Sequence, residues 1–119
     1  MLATYLALLI SVTDGDTFKA RVPVWDNIEV VTSVRLAGVD TPELKGKCAA
    51  EKALALKAKA RLTELLTGKE ITISNIKLDK FAGRIDATVT ADRDDVGATL
   101  ILEGLARPYT GGTRQGWCP

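Results

Sequence analysis

Apolar residues change their period twice along the chain. From Leu6 to Val12 they form a β-rich run that stops at Asp14-Gly15. Phe18, Ala20, Val22 and Val24 then alternate with Lys19, Arg21 and Pro23, the pattern of a half-buried strand. An Asp-Gly pair between two such runs predicts a hairpin. Trp25-Asp26-Asn27 marks a second turn, and Val30 to Val39 reads as a third strand ended by Thr41-Pro42. From Ala50 to Leu66 the period lengthens. Leu54, Ala58, Leu62, Leu65 and Leu66 share a helical stripe, Lys52, Lys57, Lys59 and Glu64 lie off it, and Gly68 is a natural stop. Glu70 to Leu78 returns to strand, with a slip between Ile73 and Ile76 that predicts a bulge near Asn75. Ile85, Ala87, Val89 and Ala91 alternate with polar residues as a fifth strand. Asp94 or Asp95 then caps a short helix, Val96 to Glu103, followed by the turn-rich, irregular tail PYTGGTRQGWCP.

Three strands, a helix, two strands and a helix predict a mainly β member of the α+β class. The expected architecture is a five-stranded OB-fold barrel with two helices, as one domain over residues 1–119. Such a barrel suggests oligonucleotide or oligosaccharide binding only by analogy.

Composition narrows the chemistry. A net charge of +1 gives no global basic field, so binding a polyanion requires a local positive site. The absence of histidine excludes histidine general bases, Ser-His triads and histidine-ligated zinc, and two cysteines cannot build a four-thiolate zinc site. Carboxylates, Lys, Arg, hydroxyls and a hard, oxygen-loving cation remain. Cys48 and Cys118 form an even pair, which points to a disulfide and an oxidising compartment; two buried free thiols are the alternative. A bridge would close a loop of about 70 residues, worth roughly 4 kcal/mol on chain-entropy grounds. MLATYLALLI lacks a basic leading region and reads as strand rather than signal peptide, and no apolar run is long enough to span a membrane.

Unusual polar groups cluster at strand ends in three segments: DGDT (Asp14 to Thr17), Arg35 with VDTPE, and DKFAGR (Asp79 to Arg84). Asp16, just after the hairpin turn, and Asp40, at the end of the third strand, are expected at one rim of the barrel. Their mutual repulsion there would be relieved by a divalent cation such as Ca2+, with the Thr41 carbonyl beside rigid Pro42 as a third ligand. Glu43, close by but not required as a ligand, is a candidate general base. Arginine guanidiniums match the charge that develops on phosphorus oxygens, which makes Arg35 and Arg84 candidate transition-state contacts. One geometric difficulty stands: Arg35 and Asp40 are an odd number of residues apart, which a regular strand sends to opposite faces, and Gly38 between them could permit a bulge or bend that reunites them. Each fragment alone is ordinary. Asp-Gly is a common turn, TPE often opens a helix, and Lys80 and Arg84 read equally as solvated charges. Their joint occurrence in this order is what points to function.

DGDT, then RLAGVDTPE, a helix, DKFAGR, and a capped helix leading to GLARPY together resemble the staphylococcal nuclease-like (thermonuclease) family, over about Leu6 to Tyr109. The resemblance implies an OB-fold barrel and calcium-dependent cleavage of DNA and RNA that leaves a 3′-phosphate. It implies Asp16, Asp40 and the Thr41 carbonyl as metal ligands, Glu43 as general base, and Arg35 and Arg84 on the scissile phosphate. Lys80 and Tyr109 are the corresponding candidates for substrate contact. The ending GGTRQGWC, paired with the cysteine after TPE, resembles the exported bacterial branch, which implies a secreted or periplasmic protein. A monomer acting on single-stranded nucleic acid, with no membrane partner, is expected. There are departures. Phe81-Ala82 stands where the family carries a nucleotide-binding tyrosine, with one extra residue before Gly83. The family's third helix is not evident after Tyr109, and a Cys48–Cys118 bridge would pin the tail in its stead. The altered loop and near-neutral charge also admit a non-catalytic OB-fold module that binds single strands or a protein partner. An accessory role in polysaccharide export fits the fold, but no residue selects it.

Overall fold

The computed structural model describes residues 3–119. Five strands close a barrel in the order β3-β2-β1-β5-β6, with β3 and β6 pairing in parallel to seal it. They are β1 (Tyr5–Asp14), β2 (Thr17–Trp25), β3 (Ile28–Leu36), β5 (Ile71–Leu78) and β6 (Arg84–Ala91). Three two-residue strands complete the set: β4 (Val39–Asp40), which pairs with β8 (Arg107–Pro108), and β7 (Asp94–Asp95), which extends β6. Helix α1 (Ala49–Leu66) joins β4 to β5, and α2 (Val96–Leu102) follows β7. The expected mainly β barrel with two helices is therefore observed, and no third helix follows among the described residues.

The core is the inward set of the alternating strands. Phe18, Val34, Leu36, Ile73 and Val89 are essentially inaccessible, closed at one end by Leu62, Leu66 and Leu100 of the helices. Two sequence expectations shift. The third strand does not run unbroken to Val39: it stops at Leu36 and restarts as β4 after Gly38, which takes φ +77°, a conformation open to glycine without a Cβ clash. The helix buries Glu51, Ala55, Ala58, Leu62 and Leu66, while Leu54 and Leu65 flank the stripe half-buried. Small side chains at the centre of the stripe let α1 approach the DGDT turn closely. A Cβ on Gly15 would lie 2.7 Å from the Ala58 Cβ and 3.2 Å from the Thr41 hydroxyl.

The slip at Asn75 is real. Asn75 takes φ +52°, and the β5–β6 register shifts between Ser74 and Lys77. Asp95 caps α2 by accepting from the Ala98 amide at 2.9 Å. Arg61 of α1 grips Glu103, just past α2, with Nε 2.7 Å and Nη2 2.9 Å from its carboxylate oxygens, which locks the two helices to each other.

Candidate active site

Register decides which side chains meet. In the β2–β3 ladder Thr17 lies opposite Arg35, and the Leu36 amide donates to the Asp16 carbonyl at 2.8 Å. Asp16 is thereby carried to the rim beside Arg35, with its Oδ2 3.8 Å from Arg35 Nη2. Asp14 comes to the same place because the β1–β2 ladder shifts register between Val12 and Asp14. Its Oδ1 accepts the Asp16 amide at 3.1 Å, an Asx-type contact that fixes the turn. Thr17 Oγ1 donates to Asp16 Oδ1 at 2.9 Å. Burial, and next the Asp14 carboxylate, push Asp16 up to about 6; Arg35 and Thr17 pull the other way.

Gly38 does supply a bend, but it does not bring the Asp40 side chain to Arg35. Beyond Leu36 the chain doubles back, and Arg35 reaches over the turn to donate to the Leu36 carbonyl at 3.4 Å and the Val39 carbonyl at 3.1 Å. Its guanidinium is thus braced by main chain rather than left to swing.

Downstream, a buried carboxylate shapes the loop that presents Glu43. Glu51 Oε2 accepts the Glu43 amide at 3.2 Å and Oε1 the Lys47 amide at 3.1 Å. Those two hydrogen bonds, the Glu43 amide's first, lower the Glu51 pKa. Glu43 itself keeps its side chain 56% exposed.

Arg84 opens β6 and is clamped by Asp79, with Nη2 donating to Oδ1 at 3.2 Å and Nε 3.1 Å from Oδ2. Asp86 is the register partner of Arg35 across β3–β6. Burial, and then the neighbouring Asp79, raise its pKa. Asp79 is held well below the carboxylate range, by a hydrogen bond from Asp86 first and by the Phe81 amide and Arg84 after it.

These groups face one open cleft of about 850 Å³, lined among others by Asp14, Asp16, Arg35, Thr41, Glu43, Lys80, Phe81, Arg84, Tyr109 and Arg114. Of the residues expected from sequence, Asp16, Arg35, Thr41, Glu43, Lys80, Arg84 and Tyr109 are brought together here. Asp40 is not. It is 3% exposed, and its carboxylate turns beneath the C-terminal tail, ion-paired with Arg114 and accepting Trp117 Nε1 at 3.3 Å. The Tyr109 hydroxyl donates to the Gly112 carbonyl at 2.9 Å. Phe81 is 56% exposed at the cleft edge, with the Arg84 guanidinium 4.8 Å and Lys80 Nζ 5.4 Å from its ring centre.

Several residues that build the site have no role assigned from sequence: Asp79 and Asp86 as the acidic clamp, Glu51 as the loop brace, and Arg114 with Trp117 in the tail, although Asp79 opens the DKFAGR segment and the last two lie within GGTRQGWC. The available clue to the tail is the cysteine pair. Cys48 and Cys118 are joined in the structure, with Cα atoms 6.1 Å apart. Glu43 lies five residues before Cys48 and Arg114 four before Cys118, so the bridge brings them within reach of each other.

Residues 33–116 match the family model described as staphylococcal nuclease homologue. The Schizosaccharomyces pombe protein named Probable endonuclease C19F8.04c is 37% identical over 132 residues, a stretch covering 91% of this chain and 57% of that relative. The chain therefore spans little more than half of that protein's length. The match to the family model, over most of a chain that folds into a closed barrel with its polar groups at the expected rim, places this protein in the staphylococcal nuclease homologue family.

Proposed function

We propose that the protein is a calcium-dependent nuclease that hydrolyses phosphodiester bonds of single-stranded DNA or RNA and leaves a 3′-phosphate. The observation that carries this reading is the gathering of Asp16, Arg35, Glu43 and Arg84 in one cleft, with Asp16 and Arg35 3.8 Å apart. The name of the 37%-identical yeast relative points the same way.

The residues suit a hard divalent cation. Asp14, Asp16 and the Thr41 carbonyl in the cleft offer oxygen alone, and Asp40, paired with Arg114 beneath the tail, would add to them only on leaving that pair. Asp16, buried beside a second carboxylate, is a position where added positive charge relieves a cost. When bound, the cation would neutralise the carboxylates and polarise a phosphoryl oxygen. The chain's own groups do the rest. Arg35, braced on two carbonyls, and Arg84, gripped by Asp79, are preorganised donors for the oxygens of the scissile phosphate, so little reorganisation is needed as charge develops. Glu43, exposed at the cleft mouth on a loop fixed by Glu51, takes a proton from an attacking water. Lys80 adds charge along the strand path, and Phe81 offers its ring to a base in place of a phenolic hydrogen bond.

The disulfide supports a secreted or periplasmic location. No helix among the described residues is long and apolar enough to cross a membrane. We take the working form to be a monomer, since every proposed catalytic group comes from one chain. Degradation of single-stranded DNA by the pure protein, with calcium and with chelator, tests the proposal.

One observation favours the binding-module alternative: the Glu43 carboxylate is engaged in an ion pair with Arg114. Tight oligonucleotide binding that is indifferent to calcium and unaccompanied by cleavage would select it.

A further inference from the structure

The tail beyond Tyr109 is attached in an unusual way. The last main-chain hydrogen bond tying it to the barrel is from the Tyr109 amide to the Gly38 carbonyl, at 2.9 Å. Residues 110–116 are all exposed and bury no apolar side chain. What holds this segment is a set of side-chain contacts and one covalent bond. Arg107 Nη1 donates to the Gln115 and Gly116 carbonyls at 3.3 and 2.9 Å, and the Arg107 guanidinium lies 3.7 Å from the centre of the Trp117 ring. Trp117 in turn donates to Asp40, and Cys118 is bonded to Cys48 at the start of α1.

The contacts of Arg114 give this segment its meaning. Nη1 pairs with Glu43, while Nη2 pairs with Asp40 and donates to the Thr41 carbonyl at 3.3 Å. These are one acid, one base and one carbonyl of the rim, all engaged by a single permanent cation. A guanidinium and a dication cannot both sit against the same oxygens, because each needs the same lone pairs at contact distance.

We propose that the C-terminal segment is a tethered strap in which Arg114 acts as a built-in cation over Asp40, Glu43 and the Thr41 carbonyl, and must withdraw before a divalent cation can take the Asp40 and Thr41 oxygens and before Glu43 is free to act as a base. The inference rests on the calcium reading of the rim. The Cys48–Cys118 bridge, four residues from Arg114, keeps the guanidinium at high effective concentration over the rim. A dithiol that opens the bridge, adding one hydrogen to each sulfur and closing to its own disulfide, converts the tether into a loose tail. The strap then competes poorly with the cation.

The test is calcium binding by calorimetry, a readout independent of cleavage, on the oxidised protein, Arg114→Gln, Cys118→Ser and the double variant. Cys118→Ser cuts the tether and leaves Cys48 in place as the N-cap of α1. Arg114→Gln is expected to bind calcium at least roughly tenfold more tightly, the factor that about 1.4 kcal/mol of relieved competition gives. Cys118→Ser should shift affinity in the same direction, and the double variant should gain nothing over Arg114→Gln. In the oxidised protein, saturating calcium should break the Trp117 indole contact with Asp40, read as a shift of the Trp117 indole N–H resonance. Unchanged or weaker calcium affinity in a cooperatively melting Arg114→Gln overturns the strap, as does the absence of calcium binding from every form. Should Arg114→Gln not fold, Cys118→Ser decides in the same terms. Tightened binding without any cleavage keeps the strap and removes the nuclease reading. Calcium-dependent cleavage with unaltered affinity does the reverse.

Discussion

Asp16 and Arg35 face each other at 3.8 Å because Thr17 pairs with Arg35 in the β2–β3 ladder. The contact is therefore a property of strand register. A one-residue slip of β3 would send Arg35 to the other face and part it from Asp16. The acid and the guanidinium are delivered to the rim by backbone pairing before any ligand arrives, which is the preorganisation that transition-state stabilisation needs.

Arg35→Lys tests the role of that guanidinium. Lysine keeps the charge but loses the planar fork that braces against the Leu36 and Val39 carbonyls. Cleavage should fall by about 10²–10³ in kcat, the usual cost of one lost oxyanion contact, with the melting temperature close to that of the parent. Steady-state kinetics beside a thermal melt separates the two effects.

Gly15→Ala addresses packing rather than chemistry. The added Cβ would sit 2.7 Å from the Cβ of Ala58, a backbone-anchored atom that cannot swing aside. Helix α1 or the DGDT turn must shift, which should cost about 1–3 kcal/mol in urea unfolding. If Ala is tolerated without loss, the close approach of α1 to the turn is not a constraint.

The pH dependence of stability has a definite sign at Asp16. Its folded value of about 6 lies above that of an unfolded aspartate, so between those values the folded chain holds the proton more tightly. Raising the pH from about 4 to 7 in chelator therefore lowers stability through this group, by an amount on the order of 2 kcal/mol. Asp16→Asn should flatten the curve across that window, and saturating calcium should oppose the fall in the parent. Equal pH slopes for Asp16→Asn and the parent would contradict the assignment.

Phe81→Ala should weaken binding of a short single-stranded oligonucleotide by about 1–3 kcal/mol, the range of one base–aromatic stack, whereas Phe81→Tyr should retain affinity. Fluorescence anisotropy in chelator, where no cleavage competes, reports this directly.

Much of this architecture is legible in the sequence, for identifiable reasons. Alternation in β2 and β6, the slip at Asn75 and the capped α2 are local patterns, and the structure contains each of them. The bend could be placed at Gly38 because a single glycine stands in an otherwise regular strand, though it leaves Asp40 outside the cleft that holds Arg35. What stayed hidden is long-range. Arg114 lies 71 residues from Glu43 and Trp117 77 residues from Asp40, and no local pattern marks either pairing. Asp86 reads as one polar position of an alternating strand, and only the parallel β3–β6 closure brings it opposite Arg35. Glu51 looks like a first-turn helix acid, and its burial under the Glu43 loop depends on the fold of that loop.

The measurement that bears most directly on the central claim is cleavage of single-stranded DNA by the oxidised protein and by Glu43→Gln, each with calcium and with excess chelator. Products ending in 3′-phosphate are expected only in calcium, with a loss of at least about 10²-fold in Glu43→Gln, as when a general base is removed. Cleavage undiminished in Glu43→Gln, or intact DNA under calcium from a folded parent protein, would contradict that claim.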